Sequence, residues 1–353
     1  MRMLFASLAA LALATPVVAG TVDGAVVERV SPDKLVVRWS ATDPVDVLVA
    51  DKPDIPASAA RVVSKADNDG SHELVTAATS RPYIILRDTR GGRTVRVAER
   101  VVTLQQGSNF RDLGGYPAAG GKHVRWGLIY RSGATPLLTD ADLSEVRLLG
   151  LGNMVDLRSS EERVLAPTRI EGVPYSAIGY SMADMMTLDV QKLMAGGQME
   201  PLYRQLPTFL APHLRLVFAR LLSNEGPLVY NCSAGQDRTG FVSAMILSAL
   251  GAPREAIIAD FHMSTELRRP EFEMPKIDLA RYPNNPVAQM FARGQDDRAL
   301  YKPRPLKSAN GAAYLDSALA AINERWGSVD GYFETEIGLS KADIAQLRTI
   351  YLE

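Results

Sequence analysis

Cys232 is the only cysteine of the 353-residue chain, and Arg238 follows it by six residues in the run Asn231-Cys232-Ser233-Ala234-Gly235-Gln236-Asp237-Arg238-Thr239-Gly240. A thiolate is a strong nucleophile, and a guanidinium offers a planar fork of donors for two oxygens of an oxyanion. The pair needs a frame that aims both at one point. Pro227-Leu228-Val229-Tyr230 reads as a short buried strand, and Thr239 to Leu250 is apolar at helical spacing up to Gly251. A loop between a strand and a helix start directs backbone N–H groups, and the positive end of the helix dipole, at one spot. An anion fits there. Such a site lowers a thiol pKa from about 8.5 into the range of about 3.5 to 7.5. Nucleophile and phosphate cradle together point to covalent phosphoryl transfer, with Ser233, Ala234, Gly235, Gln236, Asp237 and Arg238 lining the substrate phosphate.

The competing reading is a small, inert, buried cysteine. On average residue usage, Gly at +3, Arg at +6 and Ser or Thr at +7 accompany a given Cys about once in two thousand. The strand–loop–helix context weighs further against coincidence.

The elements that must hold this loop are legible around it. From about residue 107 strands and helices alternate, the pattern of an α/β domain. Thr139 and Asp142 form a capping box for a helix ending near Gly150, and Asn153 to Leu157 is a strand. A Met-rich, helical stretch runs from about Ser181 to Gln205. Tyr314 to Trp326 is a helix, and Ser340 with Asp343 caps another from Ile344 to Leu352. Upstream, Thr21 to Gln106 shows about seven short alternating runs, among them Ala25–Val30, Lys34–Trp39, Val45–Val49, His72–Val75, Tyr83–Leu86 and Thr94–Val97. Asn68-Asp69-Gly70 and Arg90-Gly91-Gly92 read as hairpin turns. The expectation is an all-β sandwich of fibronectin or immunoglobulin type with Trp39 in its core, serving as a spacer or a docking module.

Composition narrows the rest. Net charge is −1 and Lys/Arg are dispersed, which gives no case for nucleic-acid binding. Arg2, the apolar run Leu4 to Ala14 and Val17-Val18-Ala19 make residues 1–20 a signal peptide, with export to a periplasmic or extracellular space. That run is too short to span a bilayer, so no integral membrane segment is expected after its removal. The four histidines show no metal-ligand spacing, and neither metal nor cofactor is expected. The domain division is therefore 1–20, 21–106 and 107–353.

The run CSAGQDRTG resembles the Cys-x5-Arg-[Ser/Thr] loop of protein tyrosine phosphatases, in particular the bacterial tyrosine and dual-specificity branch with an Ala-Gly-x-Asp-Arg-Thr-Gly loop. Asn109–Tyr116 (NFRDLGGY), Arg125–Gly133 (RWGLIYRSG) and Val155–Ser159 (VDLRS) match further segments of that branch, so the resemblance covers about residues 105–353. It implies a tyrosine-phosphatase-like fold and Cys232 as the nucleophile of a phosphocysteine intermediate. Arg238 would then bind the phosphoryl group, and Thr239 would hydrogen-bond the thiolate or simply start the helix. Asp237, just before the arginine, is the leading general acid. Asp156 is the second candidate, or else the partner that fixes the Arg238 fork. Asp184 and Asp189, on a helical lid, are outsiders that geometry must judge. Arg111 and Asp112 would brace the loop from the side.

Two positions depart from the branch. Asn231 stands where His usually precedes the nucleophile, and its amide would have to hold the loop in place of the imidazole. Gln236 stands where phosphoinositide-active relatives carry Lys, which removes a cation for extra phosphates. The implied substrates are phosphotyrosine proteins or peptides, with phosphoserine/threonine and phosphoinositides as extensions. A phosphate-binding protein with weak or no turnover is the alternative of a different class.

Overall fold

The computed structural model describes residues 22–77, 80–182, 199–295 and 301–353. Residues 1–20 and the two lid aspartates, Asp184 and Asp189, lie outside the described residues. The fold is mixed α/β.

Seven strands come first: β1 Val22–Ser31, β2 Lys34–Ala41, β3 Val45–Ala50, β4 Arg61–Asp67, β5 Ser71–Val75, β6 Tyr83–Asp88 and β7 Thr94–Val97. They form two antiparallel sheets, β1-β2-β5 and β4-β3-β6-β7. Alternation along β2 turns Leu35, Val37 and Trp39 inward, where they meet Val47, Ile84 and Leu86 of the other sheet in one core. Arg90-Gly91-Gly92 does join a hairpin, β6 to β7. Asn68-Asp69-Gly70 does not. It carries the chain from β4 in one sheet to β5 in the other, and Gly70 accepts a hydrogen bond from the Trp39 N–H at 2.9 Å. β4 lacked a clear sequence signal because none of its seven side chains is buried.

A third sheet has the order β11-β10-β12-β9-β8, from β8 Arg111–Asp112, β9 Ile129–Ser132, β10 Asn153–Asp156, β11 Tyr175–Ala177 and β12 Leu228–Asn231. All pairs but β8·β9 are parallel. β12 occupies the centre with all four residues buried, as a parallel strand covered on both faces must be. Leu228 and Tyr230 enter the core on one face; Val229 enters the core on the other.

Helices cover both faces. They are α1 Asp140–Leu148, α2 Ser160–Leu165, α3 Glu200–Phe209, α4 Ala211–Ser223, α5 Asp237–Ala249, α6 Arg254–Leu267, α7 Pro286–Gln295, α8 Tyr314–Trp326, α9 Val329–Tyr332 and α10 Lys341–Tyr351. The expected capping boxes form: Thr139 with Asp142 starts α1, and Ser340 with Asp343 starts α10. A third, Ser159 with Glu162, starts α2.

The two parts of the chain are joined by more than a linker. Trp126 packs in the core of the first two sheets and donates to the Arg96 carbonyl at 3.0 Å. Arg81 reaches from the first part to Asp112 at 2.8 Å. At Gly127, in left-handed backbone, a Cβ would lie 2.5 Å from the Tyr83 hydroxyl, so the contact requires glycine.

Candidate active site

Cys232 follows directly on β12, at the centre of the sheet's C-terminal edge, and α5 begins five residues later. The thiol is 2% exposed. Between them the loop turns its carbonyls outward. The Ser233 carbonyl accepts from the Ala134 N–H at 2.8 Å. The Ala234 carbonyl accepts from Asn109 Nδ2 at 3.2 Å, and the Gly235 carbonyl from Asn109 Nδ2 and Arg131 Nη2 at 2.8 Å each. A trans peptide sets each carbonyl opposite the next N–H. The N–H groups of Ala234, Gly235 and Gln236 therefore turn toward the inside of the loop, where an oxyanion would gather them. Gly235 is in left-handed backbone, and a Cβ there would come within 2.5 Å of the Gly133 nitrogen.

The brace itself is buried and charged. Arg131 and Arg111 both bind the carboxylate of Asp260 on α6, Arg111 at 3.0 Å. Arg111 also donates to the Asp260 carbonyl, to Ser264 and to Asn109 Oδ1. Burial alone would raise the Asp260 pKa, but the two guanidinium groups hold it at about 2. Asn109 works from left-handed backbone, φ +57°, a conformation Asn tolerates better than most residues.

Arg238, in the first turn of α5, meets Glu162 end-on. Nη1 donates to Oε2 and Nη2 to Oε1, both at 2.7 Å. Nη1 also donates to the Tyr180 hydroxyl. These bonds consume both hydrogens of Nη1 and one of Nη2. Among the described residues, Nε–H and the second Nη2–H stay unused, and they lie parallel along one edge of the guanidinium. That edge is a two-donor fork of the kind phosphate takes. Burial works against the Glu162 charge, but Arg238 and bonds from Ser233 and the Ser159 N–H hold its pKa at about 2.

Asp156 is not the partner of Arg238. It is fully buried and bound to Arg158, at 2.9 and 3.0 Å from Nε and 2.6 Å from Nη2, and it accepts from the Tyr175 hydroxyl at 2.9 Å. A neighbour two residues along its own strand end takes it first. Asp112 is also placed elsewhere: it binds Arg81 and the N–H groups of Gly114 and Gly127, joining the two parts of the chain rather than the loop. Arg111 does brace the loop, through Asn109 and Asp260.

Asp237 is the first residue of α5 and accepts from the buried Tyr203 hydroxyl at Oδ1. The Thr239 hydroxyl is buried with no hydrogen-bond partner among the described residues. The Asn231 side chain makes one long bond, donating from Nδ2 to the Cys232 carbonyl at 3.4 Å, and its Oδ1 has no partner among those residues. Asn109 and Arg131, not Asn231, carry the loop. Gln236 is 5% exposed and accepts from Arg268 at 3.1 Å, so a guanidinium stands beside the position that lacks Lys. Arg268 is itself paired with Glu273 at 2.9 Å.

Sequence reasoning missed Glu162, Arg131, Asp260, Tyr180 and Tyr203. Glu162 had a signal, the Ser159-x-x-Glu162 capping box next to a quoted motif. Asn109 and Arg131 stood inside quoted segments without an assigned role. Asp260 and Tyr203 carried no local mark.

Residues 102–353 match the model of the tyrosine phosphatase family. A Cupriavidus necator protein assigned by name to the tyrosine-protein phosphatases is 32% identical over 252 residues, 69% of this chain and 86% of that protein. The triple specificity protein phosphatase PtpB of Mycobacterium tuberculosis is 28% identical over 280 residues, 69% of this chain and 96% of its own. Among solved structures, a crystal structure of P. aeruginosa TpbA has 15% identity and a TM-score of 0.25, covering 57% of this chain and 91% of that one.

Proposed function

This chain belongs to the tyrosine phosphatase family, and on that premise we propose that it hydrolyses phosphotyrosine through a phosphocysteine intermediate on Cys232. The observation that carries the reading is the loop: inward N–H groups and the open edge of Arg238 converge beside a thiol at a helix start. The Cys232 thiolate attacks phosphorus, an S–P bond forms and the bond to the tyrosine oxygen breaks. Asp237 gives that oxygen its proton. Water then attacks phosphorus, Asp237 takes a proton back, and the thiolate leaves with the Thr239 hydroxyl bonding to it. Arg238 and the loop N–H groups hold the equatorial oxygens throughout. The salt bridge that Asp156 makes with Arg158 supports Asp237 over Asp156 as the acid.

The substrate range extends in this reading to phosphoserine and phosphothreonine, which the triple specificity named for the M. tuberculosis relative supports. Arg268 favours a second reading within the class. It returns a cation to the side of Gln236 and is about a third exposed, so phosphoinositides stay among the substrates. Residues 1–20 act as a removable export signal, and the two N-terminal sheets form a fibronectin- or immunoglobulin-like sandwich that props the catalytic part.

The test is phosphate release by the mature protein and by Cys232→Ser. The panel is phosphotyrosine, phosphoserine and phosphothreonine peptides and a phosphoinositide, with acid quenching to trap phosphate on the thiol. Release and trapping that both vanish in Cys232→Ser are expected. A folded, reduced protein that binds phosphate and releases none would instead be the phosphate-binding alternative.

A further inference from the structure

Tyr203 lies on α3, and its ring is 1% exposed. It stands edge-on to Phe261 of α6, with centroids 5.9 Å apart, and is tilted against Tyr314 of α8 at 5.6 Å. Its hydroxyl nevertheless leaves this apolar setting to donate to Oδ1 of Asp237. A buried phenol needs one acceptor, and among the described residues it uses that carboxylate alone.

We propose that Tyr203 is a positioning residue that decides which oxygen of Asp237 carries the catalytic proton. The inference rests on Asp237 as the general acid. An acid with Oδ1 committed as acceptor keeps its proton on Oδ2, the oxygen the phenol leaves unengaged. A further charged group acts on this carboxyl: Arg268, at the end of α6. Arg268 is the hazard. A carboxylate that swung over to it would pair with the guanidinium instead of meeting a leaving group. Two features oppose that swing. Glu273 occupies Arg268 with Nε and Nη2 contacts at 2.9 Å, and the Tyr203 hydroxyl holds Oδ1 of Asp237. Burial, then the nearby Asp237 charge, push the phenol pKa well above its ordinary value, so it stays a donor throughout the working pH range.

Tyr203→Phe keeps the ring packing and removes only the hydroxyl. The experiment compares kcat/KM on phenyl phosphate, which needs leaving-group protonation, with p-nitrophenyl phosphate, which needs little. Tyr203→Phe, Asp237→Asn and the double variant are measured side by side. The expected result is about a tenfold loss on phenyl phosphate with Tyr203→Phe, under about threefold on p-nitrophenyl phosphate, and no further loss when added to Asp237→Asn. Equal losses on both substrates, no loss, or full additivity with a leaving-group-selective Asp237→Asn overturns the proposal alone. An Asp237→Asn enzyme with no leaving-group selectivity removes the acid assignment, and the proposal falls with it.

Discussion

Between β1 and β7 the interior is chiefly valine, leucine and isoleucine around Trp39, whereas the loop end of the central sheet buries Arg111, Arg131, Arg158, Asp156, Glu162 and Asp260, each at 1% exposure or less. Burying an ion costs several kcal/mol even after relaxation, and only a well-placed partner offsets it. Apolar packing reaches stability more cheaply, but it is non-directional. It cannot turn the carbonyls of Ala234 and Gly235 outward. Asn109 and Arg131 can, because a hydrogen bond fixes direction as well as distance. The first part of the chain is built to cohere, and the loop end is built to point.

That contrast can be broken by experiment. Arg131→Met keeps the volume but takes one donor from the Gly235 carbonyl and one partner from Asp260. We expect kcat to fall about a hundredfold, the scale of an ångström-sized misplacement of catalytic groups. A steady-state assay on phosphotyrosine peptide checks this, and an unchanged kcat would mean the loop holds its shape unaided.

Glu162→Gln should cost about tenfold in kcat/KM, since Arg238 keeps a neutral acceptor but loses the matching charge. It also has a pH signature. The Glu162 pKa is lowered from 4.5 to about 2, so its stabilising effect is complete above about pH 4.5 and is lost as pH falls toward 2. The shift corresponds to about 3 kcal/mol. Urea midpoints at pH 6 and pH 3 should converge less steeply in Glu162→Gln than in the parent protein. Parallel slopes would argue that the pair does not govern acid stability. Asp260 titrates over the same low range in both proteins and leaves a residual slope.

Leu86→Ala sharpens the other side. Leu86 is fully buried in β6, and its truncation should cost about 2–5 kcal/mol of stability. The folded enzyme should keep kcat within about twofold. A large loss of kcat in still-folded protein would show that the sheets transmit strain to the loop, through Arg81 and Asp112.

Local features carried much of this protein on their own. The Cys232-to-Arg238 spacing, the strand before it and the helix after it are decided within about twenty residues, as are the capping boxes at Thr139 and Ser340. Periodicity marked most strands of the first part, because buried and exposed side chains alternate there. β4 escaped it, since none of its side chains is fully buried.

What only the tertiary structure decided is who meets whom. Asp156 and Glu162 lie six residues apart, and either could have reached Arg238 on paper. Arg158 claims Asp156, and Glu162 takes the arginine. Arg111 meets Asp260 across 149 residues of chain, and Tyr203 meets Asp237 across 34. A turn or a cap is written in neighbouring residues because its bonds close locally. A brace between distant segments depends on the sheet order and on which faces the helices cover, and no short stretch of sequence contains that.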